Sequence, residues 1–219
     1  MNDAMSRTRK LTTTAMLSAV AFVLMYFEFS VPLVPSFLKM DLSELPELIG
    51  AFAIGPFWGV AICLVKNLLH VAVTQSATVG ELSNFILSAS FVLPAGLIYR
   101  KWHTFKGAAV GALVGTIVAA LISIPSNYFI VYPFYASAYM PMEVIMGMYQ
   151  AIRPKTETLL EALIIFNVPF TFIKFFIADV LTFLVYKRLS PVIKGTSVRN
   201  KKVTETVKIL SEQAENDVQ

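Results

Sequence analysis

Charged residues, cysteine and histidine are all scarce in this sequence of 219 residues. Only 15% of the residues are charged, whereas a typical soluble domain has about a quarter. One cysteine, Cys63, excludes an internal disulfide, and with two histidines it leaves no metal cluster to propose. The motifs of zinc peptidases, serine hydrolases and P-loop nucleotide-binding proteins are missing as well. The sequence therefore indicates neither an enzyme nor a protein that hydrolyses ATP by itself.

Apolar residues, by contrast, are in large excess. They make up 56% of the chain, and the mean hydropathy is +0.67, whereas a soluble domain has about 45–50%. The excess is explained if lipid surrounds most of the chain. Composition thus predicts an all-α integral membrane protein. The apolar segment after the basic start "MNDAMSRTRK" contains no small-residue cleavage site, so we expect the first helix to be retained.

The basic residues gather in three clusters between or beside the apolar stretches. Three precede residue 11, three lie in "YRKWHTFK" and seven follow Tyr186, which accounts for thirteen of the eighteen Lys and Arg residues. Short basic flanks stay on the cytoplasmic side of a membrane. Apolar spans separate the clusters, which argues against a nucleic-acid partner. We expect both termini to be cytoplasmic.

Five apolar stretches are long enough to cross a bilayer, which takes about 20 helical residues. They are Leu11–Phe29, Phe57–Val73, Leu82–Tyr99, Gly107–Tyr135 and Leu159–Tyr186. Two cytoplasmic termini need an even number of crossings, so Leu45–Ile54 is predicted to form a short second helix shielded by its neighbours. The prediction is a membrane domain of six transmembrane helices in residues 11–190. A basic cytoplasmic N-terminus (1–10) precedes it, and a polar cytoplasmic tail (191–219) follows.

Three segments would then lie on the outer side: residues 30–44, 74–81 and 136–158. The first contains two prolines and alternates apolar and polar residues over Phe37–Leu42. This pattern predicts an extended loop that folds over the helices. The third carries four methionines, and we interpret it as a loop that serves as a pliable lid.

Small residues at four-residue spacing mark two helix surfaces. Gly107, Gly111 and Gly115 would let a neighbouring backbone approach closely, which favours internal packing. Ala15 and Ala19 repeat the spacing on the first helix. Either internal packing or docking of another membrane subunit fits this pair, and the spacing does not decide between them.

Polar residues within the apolar stretches concentrate in the half nearer the outside. They are Lys66, Asn67, His70, Glu81, Asn84, Asn127, Asn167, Thr171 and Lys174. Charges at this depth need partners or a cavity, and their one-sided placement predicts a small-molecule pocket that opens outward. Helical spacing puts Asn167, Thr171 and Lys174 on one stripe, whereas Asp179 points away from Lys174.

Several of these polar residues also have a structural alternative, which for Lys174 is a side chain that extends to a lipid headgroup. For Lys66 we favour a side chain that extends outward to a lipid headgroup, and for His70 a bond to a backbone carbonyl. Glu81 would equally suit a helix start, where the helix dipole favours a carboxylate. Asn84 and Asn127 would also suit hydrogen bonds between helices.

Several segments together resemble the substrate-binding S components of energy-coupling factor (ECF) transporters, in particular the RibU-type riboflavin subunits. They are "FLKMDLSELPELIGAFAIGPFWGV", "VKNLLH", "VGELSNFILSASFVLPAGLIYR", "SNYFIVYPFY" and "YKRLSPVIK". The likeness covers the chain from roughly residue 11 to residue 195. It implies a six-helix subunit of the bacterial plasma membrane that binds a vitamin at its outer face. Such a subunit has no enzyme activity and no cofactor, and riboflavin or a related flavin is its transported ligand.

The resemblance also implies partners and site residues. An S component docks on a transmembrane coupling subunit that is driven by two cytoplasmic ATPases. The family's A-x-x-x-A docking motif matches Ala15 and Ala19. The substrate-binding residues that it implies are Leu38, Lys39, Met40, Asp41, Glu81, Asn84, Asn127 and Lys174.

The last apolar stretch departs from the family pattern. The family commonly reads V-P-F-N-x-x-K-G there, and this chain reads "VPFTFIKF", with Thr171 in place of an asparagine and Phe175 in place of a glycine. Thr171 keeps a donor and an acceptor but lacks the reach of an amide. Asn167, one turn nearer the outside, is the residue expected to compensate. Lys174 is predicted to face the pocket and to donate to a carbonyl or ribityl oxygen of the vitamin.

Three alternatives remain open from the sequence. One is an S component for another vitamin, such as thiamine or pantothenate. Another is a stand-alone secondary carrier coupled to protons or sodium, which would need acidic residues in the inner half, where only Asp179 comes near. The third is a membrane scaffold without a ligand, which would show no saturable binding.

Overall fold

The computed structural model of the chain describes residues 7–74 and 78–185. The chain divides into two compact units, Met1–Val180 and Leu181–Gln219. The contacts reported below all lie within the first unit. Of the second unit only residues 181–185 are described, so the predicted polar tail (191–219) and the basic residues after Tyr186 lie outside the described residues.

Helices make up most of the described chain, with one short ribbon. Two-residue strands form the antiparallel ribbon, in which β1 (Phe29–Ser30) pairs Phe29 with Met40 of β2 (Lys39–Met40). The helices up to the middle of the chain are α1 (Arg7–Tyr26), α2 (Glu44–Ala53), α3 (Pro56–His70), α4 (Val79–Lys101) and α5 (Phe105–Ser126). A 3₁₀ turn, Val71–Val73, extends α3.

Two π-helical turns interrupt the helices of the second half. The turn Asn127–Val131 joins α5 to α6 (Tyr132–Ala138). After α7 (Met142–Ile152), the turn Leu163–Asn167 joins α8 (Leu159–Ala162) to α9 (residues 168–185). The third outer segment, predicted to be a loop, is therefore helical over α7. The prediction of a loop was wrong there because Ile145 and Tyr149, four residues apart, are buried on one helix face.

Four helical segments of the described chain are long and apolar enough to cross a membrane. They are Pro56–Val73, Val79–Lys101, Phe105–Ala138 and Leu159–Val185, which match four of the five long apolar stretches. Neither the 20-residue α1 nor the ten-residue α2 is among them. The chain is thus a mostly helical membrane protein, and the count of six crossings stays a prediction.

The junction between α2 and α3 is set by two residues. Gly55 has a φ of 135°, a conformation open to glycine and strained for other residues. Pro56 begins α3, where its missing N–H has no helical partner to lose. The turn brings α2 back against α3, so that Ala51 lies against Gly59 and Leu48 is fully buried.

Close packing between α4 and α5 depends on glycine. A Cβ added at Gly111 would lie 2.7 Å from the backbone oxygen of Ala95, and one at Gly115 would collide with the backbone oxygen of Phe91. The predicted internal packing is confirmed for these two glycines. Gly107 lies instead against Trp102 in the connection between the helices.

We expect Gly115→Ala to destabilise the protein by about 1–3 kcal/mol, because a methyl group there forces two helix backbones apart. The matched control is Gly147→Ala on α7, where an added Cβ would meet no atom within 4 Å. That change should be neutral or slightly stabilising, since alanine favours a helix more than glycine does. Thermal unfolding of both variants in detergent checks the difference, and equal midpoints would contradict the packing role.

Candidate functional site

A cavity of about 470 Å³ is lined by residues of the first outer segment (30–44) and of the helices that surround it. Its wall includes residues of α1, α2, α3, α4, α6, α7, α9 and both π turns. Small-molecule sites in proteins commonly measure about 300–1,000 Å³. The cavity therefore has the volume of a site for a compact organic ligand.

The structure brings nine of the ten predicted site residues to the wall of this cavity. They are Leu38, Lys39, Asp41, Glu81, Asn84, Asn127, Asn167, Thr171 and Lys174. Met40 does not line it, because neighbouring residues of a strand point to opposite faces and Met40 is buried behind the ribbon. Their roles toward a ligand remain predictions.

Lys174 reaches the cavity wall and is held there by two carboxylates. Its Nζ atom lies 2.9 Å from Oδ2 of Asp41 and 2.8 Å from Oε1 of Glu44. An ammonium carries three N–H donors, so these two partners leave one N–H for another acceptor. Asp179 instead accepts a hydrogen bond from Thr116 at 2.8 Å, which confirms that it is not the partner of Lys174.

Lys66 is completely buried, so the prediction of a side chain extending to a headgroup was wrong. Its Nζ atom lies 2.6 Å from Oε1 of Glu47, and it donates to Oγ of Ser43 at 2.8 Å and to Oδ1 of Asn84 at 3.0 Å. Three acceptors satisfy the ammonium inside the protein. A headgroup would have satisfied Lys66 alone and left the buried carboxylate of Glu47 without a cation.

These two lysines and three carboxylates form what we call the buried charge cluster: Asp41, Glu44, Glu47, Lys66 and Lys174. All five side chains are less than a tenth exposed. Burial by itself would raise the pKa of Asp41, but the ammonium groups of Lys174 and Lys66 hold that pKa below its usual range. Asp41 therefore stays ionised at neutral pH.

Sequence reasoning missed Glu44 and Glu47 as members of this cluster. A signal was present, since the carboxylates of "DLSELPE" recur every third residue and can therefore share one helical face. Two lysines in apolar stretches needed such partners. The spacing did not show which lysine meets which carboxylate.

His70 pairs with the carboxylate of Glu81, so the predicted bond to a backbone carbonyl was wrong. Nδ1 of His70 lies 2.8 Å from Oε1 of Glu81, and Thr74 donates to Oε2 at 2.9 Å. The contact arises because His70 ends α3 and Glu81 lies in the first turn of α4. Glu81 therefore lies at a helix start, where the helix dipole favours a carboxylate, and it also lines the cavity.

The asparagines Asn127 and Asn167 both lie in the π turns. Asn127 opens one turn and accepts a hydrogen bond from Ser83 at 3.4 Å, whereas Asn167 closes the other. Oδ1 of Asn167 accepts from the hydroxyl of Tyr149 at 2.5 Å, and Nδ2 donates to the hydroxyl of Tyr132 at 2.9 Å. Helical π turns are frequent at functional sites, because the extra residue re-aims the side chains beside it.

An aromatic wall completes the cavity, and sequence reasoning did not name its members. They are Phe37, Tyr132, Tyr135, Tyr139 and Phe170. Phe37 of the first outer segment lies 6.1 Å from the ring of Tyr132 and 6.0 Å from that of Tyr135. The three tyrosines recur at spacings of three and four residues, so a helical stripe was the available signal.

Three comparisons with known proteins place the chain among membrane transporters. The family model "ECF transporter, substrate-specific component" matches residues 9–186. Riboflavin transporter RibU of Staphylococcus aureus is 33% identical over 190 residues, which cover 87% of this chain and 95% of that protein. Riboflavin transporter FmnP of Bacillus subtilis is 36% identical over 132 residues, which cover 59% and 70%.

A solved structure supports the same relationship. It is that of the S component of a bacterial ECF transporter, with a TM-score of 0.70 and 32% sequence identity. The match covers 86% of this chain and 99% of the other.

Removal of Lys66 should destabilise the protein strongly, because it leaves the carboxylate of Glu47 buried without a cation. We expect Lys66→Met to cost about 3–5 kcal/mol of the free energy of unfolding. Arg153→Met is the matched control, since its ion pair with Glu161 is partly exposed and should be worth less than about 1 kcal/mol. Denaturant unfolding in detergent measures both, and a Lys66→Met variant as stable as the control would contradict a structural role for the cluster.

Proposed function

Since the chain belongs to the substrate-specific components of ECF transporters, we propose that it is the riboflavin-binding subunit of such a transporter. The family consists of transporter components and not of enzymes. The observation that carries the proposal is the cavity itself, which combines an aromatic wall with amide, hydroxyl, carboxylate and ammonium groups. Relatives named as riboflavin transporters support the same ligand.

Riboflavin matches the two kinds of surface in the cavity. Its isoalloxazine ring is flat and aromatic, and aromatic side chains such as Tyr132 and Tyr135 offer faces and edges to such a ring. The carbonyl and N–H groups of the ring and the hydroxyls of the ribityl chain need hydrogen-bonding partners once they leave water. We assign that role to Asn84, Asn127 and Thr171 on the cavity wall.

Lys174 retains its proposed role with a modification. We propose that it donates its third N–H to a carbonyl or ribityl oxygen while Asp41 and Glu44 hold the other two. The lysine is thus presented to the ligand in a fixed position. Riboflavin is in this proposal a transported ligand, and the protein carries no cofactor.

Transport would require partners, because the sequence contains no P-loop motif. We propose that the chain docks on a transmembrane coupling subunit with two cytoplasmic ATPases. Ala15 and Ala19 are exposed on α1, whereas the intervening Ser18 is buried. This exposure favours docking over the internal packing that the spacing also allowed. The proposed setting is the bacterial plasma membrane, with six crossings that include α1 and α2 and with both termini cytoplasmic.

We expect the purified protein to carry riboflavin or to bind it saturably, as measured by mass spectrometry of the released ligand and by calorimetric titration. Asn127→Ala should weaken binding by about threefold to tenfold, the value of one hydrogen bond. Asn67→Ala is the matched control, because Asn67 is equally buried but bonds the backbone of Cys63 and does not line the cavity. The Asn67→Ala variant should bind riboflavin with the affinity of the wild-type protein.

Two results would contradict the proposed ligand. One is release of thiamine or pantothenate from the purified protein, with no binding of riboflavin. The other is the absence of saturable binding of any of the three vitamins. Uptake into vesicles that contain this chain alone, driven by a proton or sodium gradient, would contradict the dependence on ATPases.

We expect replacement of Ala15 and Ala19 by leucine to disrupt the complex with the coupling subunit and leave riboflavin affinity unchanged. The larger side chains would hold two helix backbones apart, although neither position lines the cavity. Ala151→Leu, also at an exposed position but on α7, is the control and should leave the complex intact. Co-purification of the co-expressed subunits measures the effect, and an unchanged complex would argue against docking through α1.

A further inference from the structure

Tyr149 is a fully buried residue that does not line the cavity, yet it contacts two residues that do. Its hydroxyl donates to Oδ1 of Asn167 at 2.5 Å and is hydrogen-bonded to the hydroxyl of Tyr132. Asn167 in turn donates to Tyr132 at 2.9 Å. The three polar groups therefore form a closed triangle, which we call the Tyr–Tyr–Asn triangle, from α6, α7 and the π turn Leu163–Asn167.

One sense of proton donation satisfies the whole triangle. The amide nitrogen of Asn167 can only donate, so the Tyr132 hydroxyl accepts a hydrogen bond from it and donates one to the Tyr149 hydroxyl, which donates to the amide oxygen. The distances agree with this assignment, since 2.9 Å is typical of N–H···O and 2.5 Å of a short O–H···O contact. Each of the three groups then both donates and accepts within the triangle.

The triangle leaves one N–H donor of Asn167 available in a fixed direction. The amide has two N–H donors, of which Tyr132 takes one. The second N–H belongs to a side chain on the cavity wall whose orientation is fixed by both tyrosines. Asn167 therefore offers a ligand a hydrogen-bond donor in a fixed position, beside the second lone pair of its amide oxygen.

A purely space-filling role for Tyr149 does not explain its hydroxyl. Phe166 and Phe37 pack on its ring at 5.3 and 5.8 Å, and phenylalanine would make the same apolar contacts. Burial of a hydroxyl is unfavourable unless hydrogen bonds compensate for the lost water. The hydroxyl is accounted for by the two bonds that it makes within the triangle.

We infer that Tyr149 is a positioning residue for ligand binding, which fixes the amide of Asn167 as a donor to an acceptor atom of the ligand. With riboflavin as the ligand, that acceptor is a carbonyl oxygen or a ring nitrogen of the flavin. The inference rests on the proposed function for the identity of this ligand. The triangle itself is observed in the structure and is independent of the proposed function.

A double-mutant cycle on the full-length protein tests this inference. Tyr149→Phe should weaken riboflavin binding by about threefold to tenfold, because Asn167 would no longer be held in position to donate its hydrogen bond to the ligand. In an Asn167→Ala background the same change should have no further effect, because the residue that Tyr149 positions is gone. Tyr128→Phe is the control, since Tyr128 is partly exposed and does not line the cavity.

Two results of the cycle would overturn the inference. One is a Tyr149→Phe variant with wild-type affinity. The other is an equal loss of affinity in both backgrounds, as a general loosening of the fold would produce. Failure of the wild-type protein to bind riboflavin would instead count against the proposed ligand.

A measurement on the ligand-free wild-type protein covers the case in which Tyr149→Phe does not fold. With ¹⁵N-labelled asparagine, NMR should show that one of the two side-chain amide protons of Asn167, the one donated to Tyr132, exchanges much more slowly than the other, with both signals identified by their absence in Asn167→Ala. Equally rapid exchange of both protons would mean that the triangle does not hold the amide, and would overturn the inference whichever ligand binds.

Discussion

The buried charge cluster is the constraint on which the structure around the cavity depends. Charges in a low-dielectric interior are tolerated only when each has its partner in place, and here the partners come from different elements. The carboxylates belong to the first outer segment and α2, Lys66 to α3, and Lys174 to α9. One side of the cavity is therefore formed only when these elements are assembled together. The cavity wall and the stability of the protein depend on the same ion pairs.

The opposite side of the cavity is built by different means. Phe37 packs against the tyrosines of α6 and α7, so the first outer segment is held by apolar contacts at this end and by ion pairs at Asp41. The two π turns place Asn127 and Asn167 on the wall of the same cavity. Polar and aromatic surfaces thus meet across one cavity, which is the property that the proposed ligand requires.

Residue spacing along the sequence predicted much of this architecture. The features that it did not predict are contacts between residues on different elements. The apolar stretches, the glycine contacts of α5 and the stripe of polar residues on α9 follow from spacing within single helices. Leu38, Lys39 and Asp41 of the cavity wall were expected only from the family resemblance. The partners of Lys66 and His70 lie on other elements. Lys66 bonds Asn84 and Ser43, which are 18 and 23 residues away in the sequence. His70 bonds Glu81, which is 11 residues away. Periodicity within one helix contains no information on such partners. Tyr149 escaped notice for the same reason, since its bonds reach residues 17 and 18 positions away.

The buried charge cluster contains three carboxylates but only two lysines. This difference determines which of its positions can be substituted without leaving a buried charge unpaired. Replacement of Glu44 by glutamine would leave Asp41 with Lys174 and Glu47 with Lys66, two matched pairs of nearly unchanged shape. Loss of either lysine would leave at least one buried carboxylate without a cation. Among related genes, position 44 should therefore vary between acid and amide, whereas positions 66 and 174 should stay cationic.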